Sequence, residues 1–193
     1  MPDLFGWASF FLNIKKLSVL KMPNLCKIKL ILRDMKQRPV IHLYTDGAAS
    51  GNPGPGGWGA VLICGDLRKE MSGGYSLTTN NRMELLAVIR GLEAIRWEGA
   101  EVEVWSDSSY VVDSVSKGWL DSWIARGWKK TKNVDLWMRF VELRGHFRLH
   151  FNWLKGHAGH PENERCDSLA VAAYHMSGLP QDEGYTVTDT KLI

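Results

Sequence analysis

Cysteine is scarce in this 193-residue chain: Cys26, Cys64 and Cys166 are odd in number, dispersed and without any short paired spacing. That excludes a disulfide-stapled scaffold and suits reduced thiols in a cytosolic protein. A membrane-spanning run is missing too, because the apolar stretch Leu4 to Leu12 is far too short to cross a bilayer. The same stretch lacks the preceding positive charge of a secretory signal: Asp3 comes before it and Lys15-Lys16 after it. Arginine is sparse in the first 38 residues, with only Arg33 and Arg38, which argues against a mitochondrial presequence. Internal repeats and low-complexity tracts are absent. The Gly/Pro loop at 51–57 lacks the Gly-Lys-Ser/Thr ending of a phosphate-binding P-loop, which disfavours a nucleotide triphosphatase.

With 45% apolar residues, the chain can bury one sizeable core and carry an appendage, but not a second full domain. The net charge of +3 is unevenly spread. Residues 1–38 hold eight Lys/Arg against two Asp/Glu, leaving sixteen against nineteen in the mildly acidic remainder. The first 38 residues are therefore read as a poorly ordered basic extension, and 39–193 as the functional domain. Any nucleic-acid affinity of that domain must come from clustered cations near the site, not from global charge.

Val40, Ile41, Leu43 and Tyr44 predict a covered strand that ends at Asp46. Trp58–Cys64 and Arg68–Leu77 predict two further strands joined by a tight turn at Gly65-Asp66. Leu85, Val88, Ile89, Leu92 and Ile95 recur at helical spacing and predict an amphipathic helix over 81–97. Glu101–Asp107 alternates as a strand and runs into Ser108, a cap for a helix over 109–117. A short helix over Trp119–Arg126, a cationic loop at 129–132 and a helix over Val134–Leu143 follow. Arg148–Leu154 is the last predicted strand and Glu162–Met176 the last helix. A meander followed by alternating helices and strands gives an α/β domain with a mixed sheet.

Asp46 ends the first strand and Asp107 the fourth; if those strands are parallel neighbours, both carboxylates leave from one sheet edge. Each acid has a structural reading as well. Asp46 can hydrogen-bond its own turn, Glu84 can close a capping box with Asn81, and Asp167 can pair with Lys155 or Arg165. Four converging carboxylates repel one another unless cations sit between them. Hard oxygen ligands suit Mg²⁺ or Mn²⁺, and two such ions about 4 Å apart can activate a water and stabilise a leaving phosphodiester oxygen. His157, His160 and Cys166 do not make a zinc site, which wants four ligands and usually a second close pair. Gly156 and Ala158 flank His157, whose side chain can swing and exchange a proton at an unperturbed pKa of about 6.5.

Four segments, Tyr44-Thr-Asp-Gly-Ala, Thr79-Asn-Asn-Arg-Met-Glu84-Leu, Ser106-Asp-Ser-Ser-Tyr-Val and Trp153-Leu-Lys-Gly-His157-Ala-Gly-His-Pro-Glu-Asn-Glu-Arg-Cys-Asp167, occur in this order. Together they resemble bacterial type 1 ribonuclease H (ribonuclease HI), from residue 40 to about 187. The resemblance implies a ribonuclease H-like fold, a five-stranded mixed sheet in the order 3-2-1-4-5 flanked by helices. It implies Asp46, Glu84, Asp107 and Asp167 as catalytic and metal-binding carboxylates, and His157 as a mobile catalytic histidine. The implied activity is endonucleolytic hydrolysis of the RNA strand of an RNA–DNA hybrid with two Mg²⁺ ions, for which Mn²⁺ can substitute. The products would carry 5′-phosphate and 3′-hydroxyl ends. A cytoplasmic monomer with no membrane partner is expected; the alternative is a catalytically silent hybrid-binding module.

Trp119, Trp123, Arg126, Trp128, Lys129, Lys130 and Lys132 crowd a short segment. Tryptophans four apart can be a core stripe and a lysine run a solvated face. Beside the four acids, a basic protrusion on a duplex backbone fits better, because phosphate contacts position a substrate without reading its sequence. By the resemblance, Trp119 belongs to the DNA-strand channel, and Thr79 and Asn133 to a phosphate pocket on that strand. Asn52, Asn80 and Ser109 would face the minor groove, where 2′-hydroxyls mark the RNA strand. Two departures stand out: the Lys129–Asn133 loop is shorter and poorer in lysine than in the best-known member, and Ser109 replaces the usual glutamine.

Overall fold

The computed structural model describes residues 39–156 and 158–185. Expectations for residues 1–38 and for His157 lie outside the described residues. Five strands, β1 (Ile41–Ala49), β2 (Gly54–Cys64), β3 (Leu67–Thr78), β4 (Glu101–Ser106) and β5 (Arg148–Trp153), form one sheet in the order β3-β2-β1-β4-β5. The first three are an antiparallel meander, and β4 and β5 add on parallel to β1. The helices are α1 (Asn80–Glu93), α2 (Ser109–Ser116), α3 (Trp119–Ala125), α4 (Val134–Arg144) and α5 (Pro161–Tyr174). This is the expected order and topology.

Alternation along β1 sends Ile41, Leu43, Thr45 and Gly47 to one face, where α1 packs, and His42, Tyr44 and Asp46 towards the other, where α5 lies. The first face is the core. Leu43, Val102 and Val104 from the sheet meet Met83, Leu85, Leu86, Val88, Ile89 and Leu92 from α1, all essentially inaccessible to solvent. On the α4 side, fully buried Trp137 sets its ring edge-on to Tyr110, Trp123 and Phe140. Burying such rings contributes roughly 1.5–3 kcal/mol each from apolar area.

Three local expectations need correction. The strand expected at Trp58 begins at Gly54, because its pairing with β1 continues to Gly56 opposite Ala49; much of the Gly/Pro stretch is therefore strand. The helix expected to reach 97 ends at Glu93, where Ile95 donates to Leu92 O in a tightened last turn. That helix is also buried almost all round, because both the sheet and α4 cover it.

Candidate active site

Thr45 on β1 pairs with Ser106 on β4, so Asp46 and Asp107 follow one residue later at the carboxyl ends of adjacent parallel strands. Asp46 does make its turn bond: Gly47 N–H donates to Oδ1 at 2.7 Å. That bond coexists with a strongly shifted carboxyl. Burial, then the neighbouring charge of Asp107, push Asp46 up to about 8; Asp167 and Glu84 add to this, and only the Gly47 N–H opposes it.

Glu84 is brought in by α1, whose first turn sits hard against β1. A β-carbon at Gly47 would lie 2.2 Å from Glu84 N, so only glycine permits this approach. The capping-box expectation is overturned: the N-cap is Thr79 and makes no side-chain cap bond. Glu84 instead accepts from Asn80 Nδ2 at 2.7 Å and from the Ser108 hydroxyl at 2.5 Å. Its pKa is raised by burial and by Asp107, against the pull of those two donors.

Asp167 arrives on α5 by a similar device, since a β-carbon at Gly59 would lie 2.2 Å from Cys166 O. Its expected partner Arg165 turns away to Glu70 at 2.8 Å. The structure therefore brings the other three sequence-predicted acids within electrostatic reach of Asp46, and Asp107 within reach of Glu84. The donor set fits a hard divalent cation. Three other carboxylates act on Asp46, and beside Asp107 the buried Asn163 has a carbonyl oxygen with no partner among the described residues.

The expected substrate contacts flank this edge. Asn52 Oδ1 accepts from Asn80 N at 3.2 Å, which joins the Gly/Pro loop to the first residue of α1, and Ser109 is exposed at the start of α2. Thr79 and Asn133 are the N-caps of α1 and α4. Arg82 ties these two helix starts together by donating to both oxygens of Asp135 at 2.8 and 2.7 Å. Neither cap residue bonds its own helix through its side chain. The tryptophan pair splits: Trp123 packs on Trp137, whereas Trp119 is 44% exposed beneath Lys117. Lys129, Lys130 and Lys132 are all exposed. Trp128, Lys130 and Asn133 have left-handed backbone, uncommon outside glycine and frequent where a loop is held for a ligand.

Several residues here escape a reading of the sequence. Tyr110 OH accepts from Asn133 Nδ2 at 3.0 Å and Trp137 Nε1 at 2.8 Å, anchoring the Asn133 side chain. Asp182 holds the fully buried Arg82 through two bonds and Thr78 through a third, strapping the segment after α5 across the start of α1. Burial alone would lower the Arg82 pKa, but the bonds to Asp135 and Asp182 outweigh it and raise it. Arg82 lies within the Thr79–Leu85 segment and Tyr110 beside Ser109; Asp182 has no local signal. A tighter trio of possible ligands, Glu101, Glu103 and His150, lies on the open sheet face, with atoms within 4.8 Å of one another. Glu103 there is already engaged by Asn152 Nδ2 at 2.6 Å.

The family model described as RNase H matches residues 38–175. The chain belongs to the ribonuclease H family. It is similar to the ribonuclease H of Desulforamulus reducens, 54% identical over 74% of this chain and 92% of the relative. It is also similar to that of Trichodesmium erythraeum, 50% identical over 78% and 98%. Among solved structures, the RNase H1 of the halophilic archaeon Halobacterium salinarum aligns with a TM-score of 0.54 and 31% identity, over 69% of this chain and 96% of that one. LC11-RNase H1, solved in complex with an RNA/DNA hybrid, aligns at 0.54 and 29%, with the same coverage. Family membership makes the chain an enzyme, a nuclease for RNA paired with DNA, of a kind that uses divalent metal. Among the described residues, no helix is long and apolar enough to cross a membrane.

Proposed function

We propose that residues 39–193 are an endonuclease domain that hydrolyses the RNA strand of an RNA–DNA hybrid with two Mg²⁺ ions, leaving 5′-phosphate and 3′-hydroxyl ends. The observation that carries this is the group Asp46, Glu84, Asp107 and Asp167, in which burial, and then the charges of the other three acids, raise Asp46 to about 8. When bound, divalent cations supply the positive charge that makes a water nucleophilic at neutral pH and neutralises the leaving oxygen.

In this reading Asp46 and Asp107 would hold the cations, with Glu84 and Asp167 completing their ligands. Ser108 and Asn80 keep Glu84 in its rotamer. His157 exchanges a proton with the attacking water or the departing strand. Thr79 and Asn133 take a phosphate of the DNA strand, Trp119 lines its channel, and Lys129, Lys130 and Lys132 contact the backbone beyond. Asn52, Asn80 and Ser109 meet the 2′-hydroxyl side of the RNA strand. The enzyme acts as a cytoplasmic monomer, and residues 1–38 form a basic extension outside the catalytic unit.

Cleavage assays on RNA–DNA hybrid, double-stranded RNA and double-stranded DNA, in Mg²⁺ and in EDTA, test this. Hybrid-specific cutting that EDTA stops, with 5′-phosphate ends, is the expected result. Tight hybrid binding without cleavage would favour a silent binding module.

A further inference from the structure

Asn163 is only 3% exposed and sits in the first turn of α5, four residues before Asp167, so both side chains lie on one face of that helix. Its amide nitrogen donates to Asp107 Oδ2 at 3.2 Å, tying α5 to the end of β4. Its carbonyl oxygen is buried with no hydrogen-bond partner. A half-satisfied buried amide costs stability that an apolar side chain of the same shape would not. The surroundings of Asp107 are fixed from other directions as well. Trp153, 56% exposed despite its apolar ring, spends its indole N–H on Asp107 O at 3.0 Å. A β-carbon at Gly156 would lie 2.7 Å from Asp107 Oδ2.

We propose that Asn163 is a positioning residue of the divalent-metal site. Its amide holds Asp107 against the helix that carries Asp167, and its carbonyl oxygen is kept for a donor that a divalent cation held by those carboxylates would bring. The inference rests on the metal-dependent reading of the four acids and adds to it a residue that touches one of them without being a ligand.

Leucine matches asparagine in shape and makes no hydrogen bonds, so Asn163→Leu in the full chain separates the two roles. Thermal unfolding is followed in EDTA and across a Mg²⁺ titration, beside wild type, with hybrid cleavage measured over the same range. In EDTA the variant is expected to unfold at or above the wild-type temperature, because the orphaned carbonyl is gone. The Mg²⁺ concentration for half-maximal stabilisation should rise roughly 10-fold, as for other residues that orient ligands, and the cleavage titration should shift with it at unchanged KM. Asn163→Ala is measured in parallel, so that a packing defect in one variant does not decide the outcome. Variants that lose stability in EDTA yet answer Mg²⁺ as wild type does would overturn the proposal and leave Asn163 a structural residue. A wild-type protein with neither Mg²⁺ response nor hybrid cleavage would instead remove the metal reading, and this inference with it.

Discussion

The α-carbon of Gly47 and the main-chain nitrogen of Glu84 are so close that a β-carbon on Gly47 would lie 2.2 Å from that nitrogen. This close approach brings the first turn of α1 against the end of β1 and sets how far Glu84 stands from Asp46. Gly47→Ala should therefore lower stability by about 1–3 kcal/mol, the usual cost of overpacking. Its effect on turnover should be larger, on the order of 100-fold, because Glu84 is displaced from its working position. Thermal unfolding beside single-turnover cleavage checks both; wild-type kcat in a destabilised variant would show that the spacing does not matter to the chemistry.

Asp46 gives the metal-free protein an inverted pH dependence. An unfolded aspartate titrates near 3.8, whereas this one is pushed up to about 8 by burial and Asp107. Between those values the folded state holds a proton that the unfolded chain has released, so the contribution of Asp46 to stability falls as pH rises through that window. In EDTA, the unfolding temperature of Asp46→Asn minus that of wild type should increase as pH rises from about 5 to about 8. Mg²⁺ should shrink the difference. A difference independent of pH would mean that Asp46 is not held protonated by burial and its neighbours.

Arg82 is 1% exposed and Asp182 is nearly as buried, while Asp135 is 42% exposed. Asp182→Ala should destabilise the domain by about 3–5 kcal/mol, because it leaves a buried guanidinium short of its counter-charge. The strap also fixes the start of α1, so KM for the hybrid should rise more than kcat falls. Chemical denaturation with steady-state kinetics tests this; an unchanged KM would confine the strap to a structural role.

The strand ends that carry Asp46 and Asp107 are readable in the sequence because they rest on a local pattern, whereas the sheet order and the roles expected of Glu84 and Asp167 come from the resemblance of whole segments to a family. Asp46 and Asp107 follow alternating strands, and strand ends on one edge need no side-chain detail. Pairings distant in sequence are not readable. Asp182 meets Arg82 and Thr78 about a hundred positions away, and nothing in Pro180-Gln-Asp182 has a period that announces it. The capping box fails for a different reason. Asn81 to Glu84 has the right spacing, but Ser108 from another element supplies a donor that local reasoning cannot weigh. Trp119 and Trp123 share one spacing and differ only in what lies opposite them, so tertiary packing decides which becomes a surface ring and which a core ring.

Lys129, Lys130 and Lys132 are exposed beside the proposed phosphate pocket. Replacing all three by alanine should raise KM well beyond any fall in kcat, since such groups bind ground state and transition state alike. The slope of log affinity against log salt should become shallower by about 0.9 for each phosphate that is no longer neutralised. An unchanged slope would make the segment an ordinary solvated face.

Hybrid cleavage by Asp46→Asn, measured across a Mg²⁺ titration beside binding of the same hybrid, bears most directly on the whole assignment. The substitution removes the carboxylate whose charged form is opposed by burial and then by Asp107, and it leaves Thr79, Asn133 and the lysines in place. Binding close to that of wild type, with cleavage abolished at every Mg²⁺ concentration, is the expected result. Cleavage near the wild-type rate at ordinary Mg²⁺ would contradict the placement of the metal site at the ends of β1 and β4.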